Sequence, residues 1–261
     1  MSPRVSGSPW RLLSAIGVLA VFLPLLWINF TQLMADRALA EGPEEALVWA
    51  PGRPDLLGAA AELRGDEART EAQREASDQL ARQALSRAPM DNRALRTLAL
   101  NADRRGRVDE AGELMAVLGR RSLRDTQVQL WLSERALNRR DYDGAFLHMD
   151  LALRRDPDLL AVLVPVIGEA LDDPSTLRPL VLRLALRPGW REPFISALAQ
   201  SGEGANRVEK VLVALAGTQA PPSNAEAGDL IEERLGQSDY RRARATWLKL
   251  LPKGAAGDPQ L

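Results

Sequence analysis

His148 is the one side chain able to titrate near neutral pH, and the chain holds no cysteine. Those two counts exclude disulfides, zinc–thiolate centres, iron–sulfur clusters, thiol catalysis and any site built from several histidines. His148 has no second histidine or thiol to form a dyad. Asp150, two positions on, falls on a different helix face. The residue therefore reads as a surface or groove histidine. No G-x-G-x-x-G, G-x-x-x-x-G-K-[ST] or G-x-S-x-G stretch is present. No acidic pair stands alone in apolar surroundings, as glycoside hydrolysis would need. The expectation is a non-enzymatic protein with no catalytic residue, no cofactor and no metal ligand.

The remaining chemistry is that of arginine. All but three of the 34 basic residues are arginine, the exceptions being Lys210, Lys249 and Lys253. Against 35 acidic residues the net charge is −1, which gives nucleic acid no basic surface to bind. The arginines recur in pairs: Arg104-Arg105, Arg120-Arg121, Arg139-Arg140 and Arg154-Arg155. At helix C-termini each cation would offset the macrodipole by about 0.3–1 kcal/mol. Stacked in rows, Arg120, Arg121, Arg154 and Arg155 could instead receive an anionic partner: an acidic glycan, a lipid headgroup or an acidic protein.

The spacing of these pairs leads to the elements that carry them. Segments 92–125 and 126–159 align without a gap at a period of 34. Leu98 answers Leu132, Ala102 answers Ala136, Ala111 answers Ala145 and Met115 answers Met149, while Arg105, Arg120 and Arg121 answer Arg139, Arg154 and Arg155. Ala and Leu are abundant and favour helix, whereas strand-favouring residues are scarce. Each unit reads as two amphipathic helices, with small residues at close approaches. Gly106 lies in the turn of the first unit, and Asp141 caps the second helix of the next. Two such helices cannot bury their apolar faces alone, so the units must stack.

A 34-residue helical period with Leu95-x2-Leu98-Ala99-x2-Ala102, Ala111-x3-Met115, Asp141-Tyr142-x2-Ala145-x3-Met149 and Pro157 resembles the tetratricopeptide repeat. Asp239-Tyr240-x2-Ala243-x3-Trp247, followed by Pro252, resembles its second-helix half. The consensus Trp and Gly are missing, so the units are degenerate. The resemblance implies an α-solenoid whose first helices line a peptide-binding groove. Carried onto this chain, the groove residues are Arg93, Arg96, Leu100 and Asp103 from one unit and Gln127, Leu130, Glu134 and Asn138 from the next. The stretches Arg121–Asp125 and Pro188–Phe194 also resemble membrane-anchored repeat proteins of bacterial exopolysaccharide assembly and export. A periplasmic assembly chaperone, of the kind that holds apoprotein in cytochrome c maturation, and a glycan-binding protein associated with an enzyme are the alternatives.

The N-terminal segment sets the expected location. No charge occurs between Arg11 and Asp36, and residues 12–30 are almost wholly apolar. At about 1.5 Å per residue such a run crosses a hydrocarbon core of roughly 30 Å. Trp10 and Trp27 suit its two interfaces. Ala38-Leu39-Ala40 has the form of a signal-peptide cleavage site but lies well past the run, so a retained anchor is the reading. Arg4 and Arg11 before the run, with Asp36, Glu41, Glu44 and Glu45 after it, put the N-terminus in the cytoplasm. The expected organisation is a cytoplasmic N-terminus over 1–11, a transmembrane helix over 12–34, a repeat domain over 35–252 and a linker-like tail over 253–261. Its partners would be the bilayer and proteins of the cell envelope, with the domain in the periplasm at the inner membrane.

Overall fold

The computed structural model describes residues 9–201 and 204–250, with side chains from residue 23 onward. Among the described residues there are fourteen α-helices, one 3-10 turn and no strand, so the chain is all-α. The helices are α1 Pro9–Ala38, α2 Pro43–Trp49, α3 Pro54–Glu67, α4 Glu71–Arg87, α5 Asn92–Arg104, α6 Val108–Arg121 and α7 Thr126–Asn138. They continue as α8 Tyr142–Arg155, the 3-10 turn Pro157–Leu159, α9 Leu160–Ala170, α10 Pro174–Leu184, α11 Arg191–Ala199, α12 Gly204–Ala216, α13 Asn224–Gly236 and α14 Tyr240–Leu250. Where sequence reading has one repeat domain, the chain divides within α6 into two compact units, Met1–Leu118 and Gly119–Leu261.

Local chemistry explains most boundaries. Asp91, Asp125, Asp141 and Asp173 each place a carboxylate oxygen on a free backbone N–H of the helix that follows. Thr70 with Gln73, and Ser223 with Glu226, close reciprocal capping boxes. The first of these sets the start of α4: α3 runs on to Glu67, and α4 begins only after the Thr70 cap. Helix α2 is a further addition. It has seven residues, too few for a period to be read, and starts on Pro43 with Glu44 and Glu45 in its first turn. Pro165 and Pro179 lie inside α9 and α10, and it is Pro174 that opens α10.

The 34-residue period is visible in the backbone itself. After α5, Gly106 N–H bonds to Asp103 O (2.8 Å) and Arg107 N–H to Ala102 O (2.9 Å). After α7, Arg140 N–H bonds to Leu137 O (2.9 Å) and Asp141 N–H to Ala136 O (2.9 Å). Both are Schellman closures around a left-handed residue, Gly106 at φ 73° and Arg140 at φ 58°. The same pair of bonds follows α13, around Ser238 at φ 60°. Glycine takes this conformation freely; Arg140 and Ser238 take it at a cost in strain.

In the N-terminal unit α3 packs on α4 and α5, and α4 on α5, around Leu57, Ala61, Ala81, Ala84 and Ala94. In the C-terminal unit sequence neighbours pack as α7 with α8, α11 with α12, α12 with α13, and α13 with α14. From α8 onward each helix as far as α12 also meets the one two places on: α8 with α10, α9 with α11, α10 with α12, α11 with α13, and α12 with α14. The core of this unit includes Phe146, Ile167, Leu180, Phe194, Val208 and Leu212.

Among the described residues no helix is long and apolar enough to cross a membrane. The side chains of residues 12–22 of the expected span lie outside the described residues, as do residues 1–8, Pro252 and the tail 253–261.

Ala111 and Ala145 are fully buried, as the repeat register requires. Ser133 Oγ donates to Ala145 O (3.1 Å) across the α7–α8 seam, where Ala145 has no exposed surface. Ala145→Leu is expected to overpack this seam and cost about 1–3 kcal/mol, read from urea unfolding followed by helical circular dichroism. An unchanged midpoint would mean that the seam lies elsewhere.

Candidate functional site

The eight groove residues fall four in each unit, and each four is described within its own. On α5, Arg93 is exposed and lies 3.7 Å from Glu62. Arg96 is largely covered and donates to the same Glu62 of α3, so it is part of the α3–α5 contact and not an exposed charge. Leu100 and Asp103 are half-buried. On α7, Gln127, Glu134 and Asn138 are exposed, whereas Leu130 is partly buried against the core.

Of the four candidate anion-binding arginines, all stand exposed in the last turns of α6 and α8. Arg120, Arg121 and Arg155 make no ion pair among the described residues. Arg154 Nε donates to both oxygens of Asp150 at 2.9 Å. Arg154 also borders a cavity of about 460 Å³ with Pro157, Leu160, Trp190 and Pro193. Asp150 neutralises it there, so this cavity offers a ligand apolar walls rather than net positive charge.

His148 is half-buried on α8, and its Nδ1 meets Gln129 Oε1 at 2.7 Å. The fully buried Gln129 donates its Nε2 to Ser122 O (3.3 Å), which leaves its oxygen for a ring N–H. Burial pushes the imidazole below its ordinary pKa, against a smaller upward pull from Asp141. This hydrogen bond ties α7 to α8.

Sequence reading missed the polar centre of the C-terminal unit, which lies in the Pro188–Phe194 stretch. Trp190 Nε1 donates to the buried Asp150 (2.8 Å), and its ring meets Phe194 edge-on at 5.8 Å. Arg191 is buried against the equally buried Glu226 with two bonds of 2.6 and 2.8 Å. Its other donors reach Leu184 O (3.2 Å), Ala220 O (3.1 Å) and Pro221 O (3.2 Å). Glu226 in turn accepts from Ser223 N–H (2.8 Å). The Ser-x-x-Glu spacing after Pro221-Pro222 signals this cap; nothing local signals that its glutamate pairs with an arginine 35 residues away.

A second network sits in the N-terminal unit. Asp78 is buried, accepting from Asn101 Nδ2 (2.7 Å) and Arg105 Nη1 (2.6 Å). Arg104 Nη1 donates to Gly65 O (2.6 Å). The Arg104-Arg105 pair thus holds α5 to α3 and α4, beyond any macrodipole role. Among the described residues no group of acidic or histidine side chains could hold a metal ion.

Comparison with known protein families finds none that matches the chain, and comparison with curated proteins finds no match either.

Two outcomes follow for the C-terminal unit. Glu226→Gln leaves Arg191 buried without its counter-charge and is expected to cost about 3–5 kcal/mol in urea unfolding. A loss below about 1 kcal/mol would show the pair to be solvated. For His148 the fold favours the neutral ring, so the unfolded chain takes up its proton first as the pH falls. Stability is then full above about pH 6.5, the ordinary value, and declines as the pH drops below it toward the lower folded value. His148→Gln should flatten this slope below about pH 6.5; an unaltered slope would assign it to other groups.

Proposed function

We propose that the chain is a non-enzymatic, membrane-anchored scaffold with a tetratricopeptide-like α-solenoid that holds a protein partner in the bacterial cell envelope. The observation that carries this reading is the 34-residue recurrence of the helix-closing bonds after α5 and α7. The next-but-one packing of α8, α10, α12 and α14, and of α9, α11 and α13, supports stacked helix pairs within the C-terminal unit. The anchor is supported by α1, whose residues from Leu23 to Phe30 are all exposed and nearly all apolar. A helix apolar all round is ordinarily buried in protein or in lipid, and here protein does not cover it. In this reading the N-terminus is cytoplasmic and the helical units are periplasmic at the inner membrane. The resemblance to exopolysaccharide-assembly proteins makes that process the first place to seek the partner. Trp190, Arg191 and Phe194 are each engaged in the core, so the Pro188–Phe194 stretch itself adds no functional support.

The test is cross-linking of the full-length chain in its native membrane, capture, and identification of the bound protein. Carbonate washing should leave the chain in the bilayer, and a mature N-terminus at Glu41 would end the anchor reading. The captured partner is then bound to Arg93→Ala and to the pair Arg120→Ala and Arg121→Ala, at low and moderate salt. Arg93 is the groove residue probed because Arg96 supports the fold. A several-fold loss with Arg93→Ala alone supports the groove. A salt-sensitive loss with the arginine pair alone supports an anionic ligand. Loss in neither removes both surfaces as sites.

A further inference from the structure

The end of α1 is fastened to the rest of its unit. Ala35 is fully buried in a small core with Ala46, Ala50 and Leu56, drawn from α2 and α3 and the turn between them. Arg53 donates to Asp36, to Gln32 Oε1 (3.3 Å) and to Asp55 (2.9 Å). The position of α2 along α1 is therefore set by protein contacts. It ends in Val48 and Trp49, and Val48 is 78% exposed.

The Trp49 ring meets Phe30 edge-on at 6.1 Å, and Phe30 meets Trp27 at 5.9 Å. Whatever layer surrounds Phe30 therefore also surrounds Trp49 and its neighbour Val48. Phe30 lies inside the expected span, and Asp36, which Arg53 holds, is six residues further on, about 9 Å of helical rise. The order along this axis is apolar side chains, then three aromatic rings, then an ion pair. That is the order of hydrocarbon, interface and water in a bilayer, where tryptophan is enriched at the middle level.

We propose, resting on the anchor reading above, that Val48 and Trp49 form a second bilayer contact, so that the N-terminal unit meets the membrane at both α1 and α2. The occupant of this exposed face is lipid, because the face is continuous with the uncovered apolar surface of α1 and shares its aromatic rings. Attraction to anionic headgroups plays little part: Asp36, Glu41, Glu44, Glu45 and Asp55 outnumber Arg37, Arg53 and Arg64 here, and Arg53 and Arg64 are paired with acids of this set. Zwitterionic lipid serves as well. A unit held at two points cannot swing freely about the end of α1, which fixes the face it turns toward the periplasm.

The chain has no cysteine, so single labels can be placed without altering anything else. Val48→Cys, Leu33→Cys and Leu123→Cys are each labelled with an environment-sensitive fluorophore in the full-length chain. All three positions are exposed, at 78%, 66% and 58%. The chains are reconstituted in phosphatidylcholine vesicles, with and without bromine near the headgroup end of the acyl chains. Unchanged helical circular dichroism confirms that the variants fold. The expected result is quenching by bromine at Leu33 and Val48, at least twofold stronger than at Leu123, and insensitive to salt. Quenching at Leu33 but not at Val48 overturns the second contact while the anchor stands. A blue-shifted but unquenched Val48 label overturns it in favour of a protein partner or a second copy of the chain. Quenching at neither site removes the anchor reading, and this proposal with it.

Discussion

Arg191 carries five N–H donors into the buried interior, and every one of them finds an oxygen. Two go to Glu226, and the others go to main-chain carbonyls at the end of α10 and in the loop before α13. One side chain at the start of α11 thereby fixes three other segments of the C-terminal unit. The loop from residue 217 to 223, which contains Pro221-Pro222, has few backbone bonds of its own. Arg191 supplies the donors that its carbonyls lack. Replacing the ion pair by two apolar side chains would spare the cost of burying charge. It would also strip Ala220 O and Pro221 O of their side-chain donor and leave Leu184 O with the Arg187 N–H alone, so the usual neutrality of such a swap does not extend to this site.

The arginine bias of the composition makes sense in these terms. Lysine presents a point charge that cannot reach a carboxylate and several carbonyls at once, whereas the planar guanidinium fork can. Arg105 uses it on Asp78 and Glu71, and Arg104 reaches Gly65 O. Arg234 is buried too and shares Glu209 with Lys249, but its Nε has no partner. Burial would raise the Glu209 carboxyl, yet the bond from Lys249 and the charge of Arg234 hold it below its ordinary value. The contrast locates the firm and the soft parts of the unit: every Arg191 donor is satisfied, whereas the α12–α14 end retains an unpaired one.

What could be read from sequence was what depends on near neighbours. The 34-residue register, the Gly106 turn, the Asp141 cap and the buried alanines all follow from residues within about one helix pair of each other. Helix α2 escaped because seven residues hold too few turns to show a period. The Asp78 and Arg191 networks escaped because their partners lie 23 to 35 residues apart and carry no local mark. The same limit governed the groove. Family resemblance chose positions by helix register, but register does not tell how far a side chain is drawn into a neighbouring contact. Arg96 belongs to Glu62, and Leu130 leans on the core.

That last correction changes what kind of recognition the C-terminal unit can offer. Gln127, Glu134 and Asn138 are seven and eleven residues apart from the first, close to whole turns of the helix, and all three are exposed on α7. With Leu130 turned toward the core, a partner meeting this helix finds two amides and a carboxylate around the half-buried Trp131, four residues after Gln127 on the same face. Tight protein interfaces concentrate their energy in buried aromatic or aliphatic contacts, and Trp131 is the aromatic side chain this face offers. Hydrogen bonds along a polar row instead set register and reject wrong partners without adding much affinity. A scaffold held against a membrane can work with such a face, because confinement raises the effective concentration of any partner held in the same membrane. In the scaffold proposed above, selective contact along α7 and a fixed orientation at the bilayer would be complementary parts of one design.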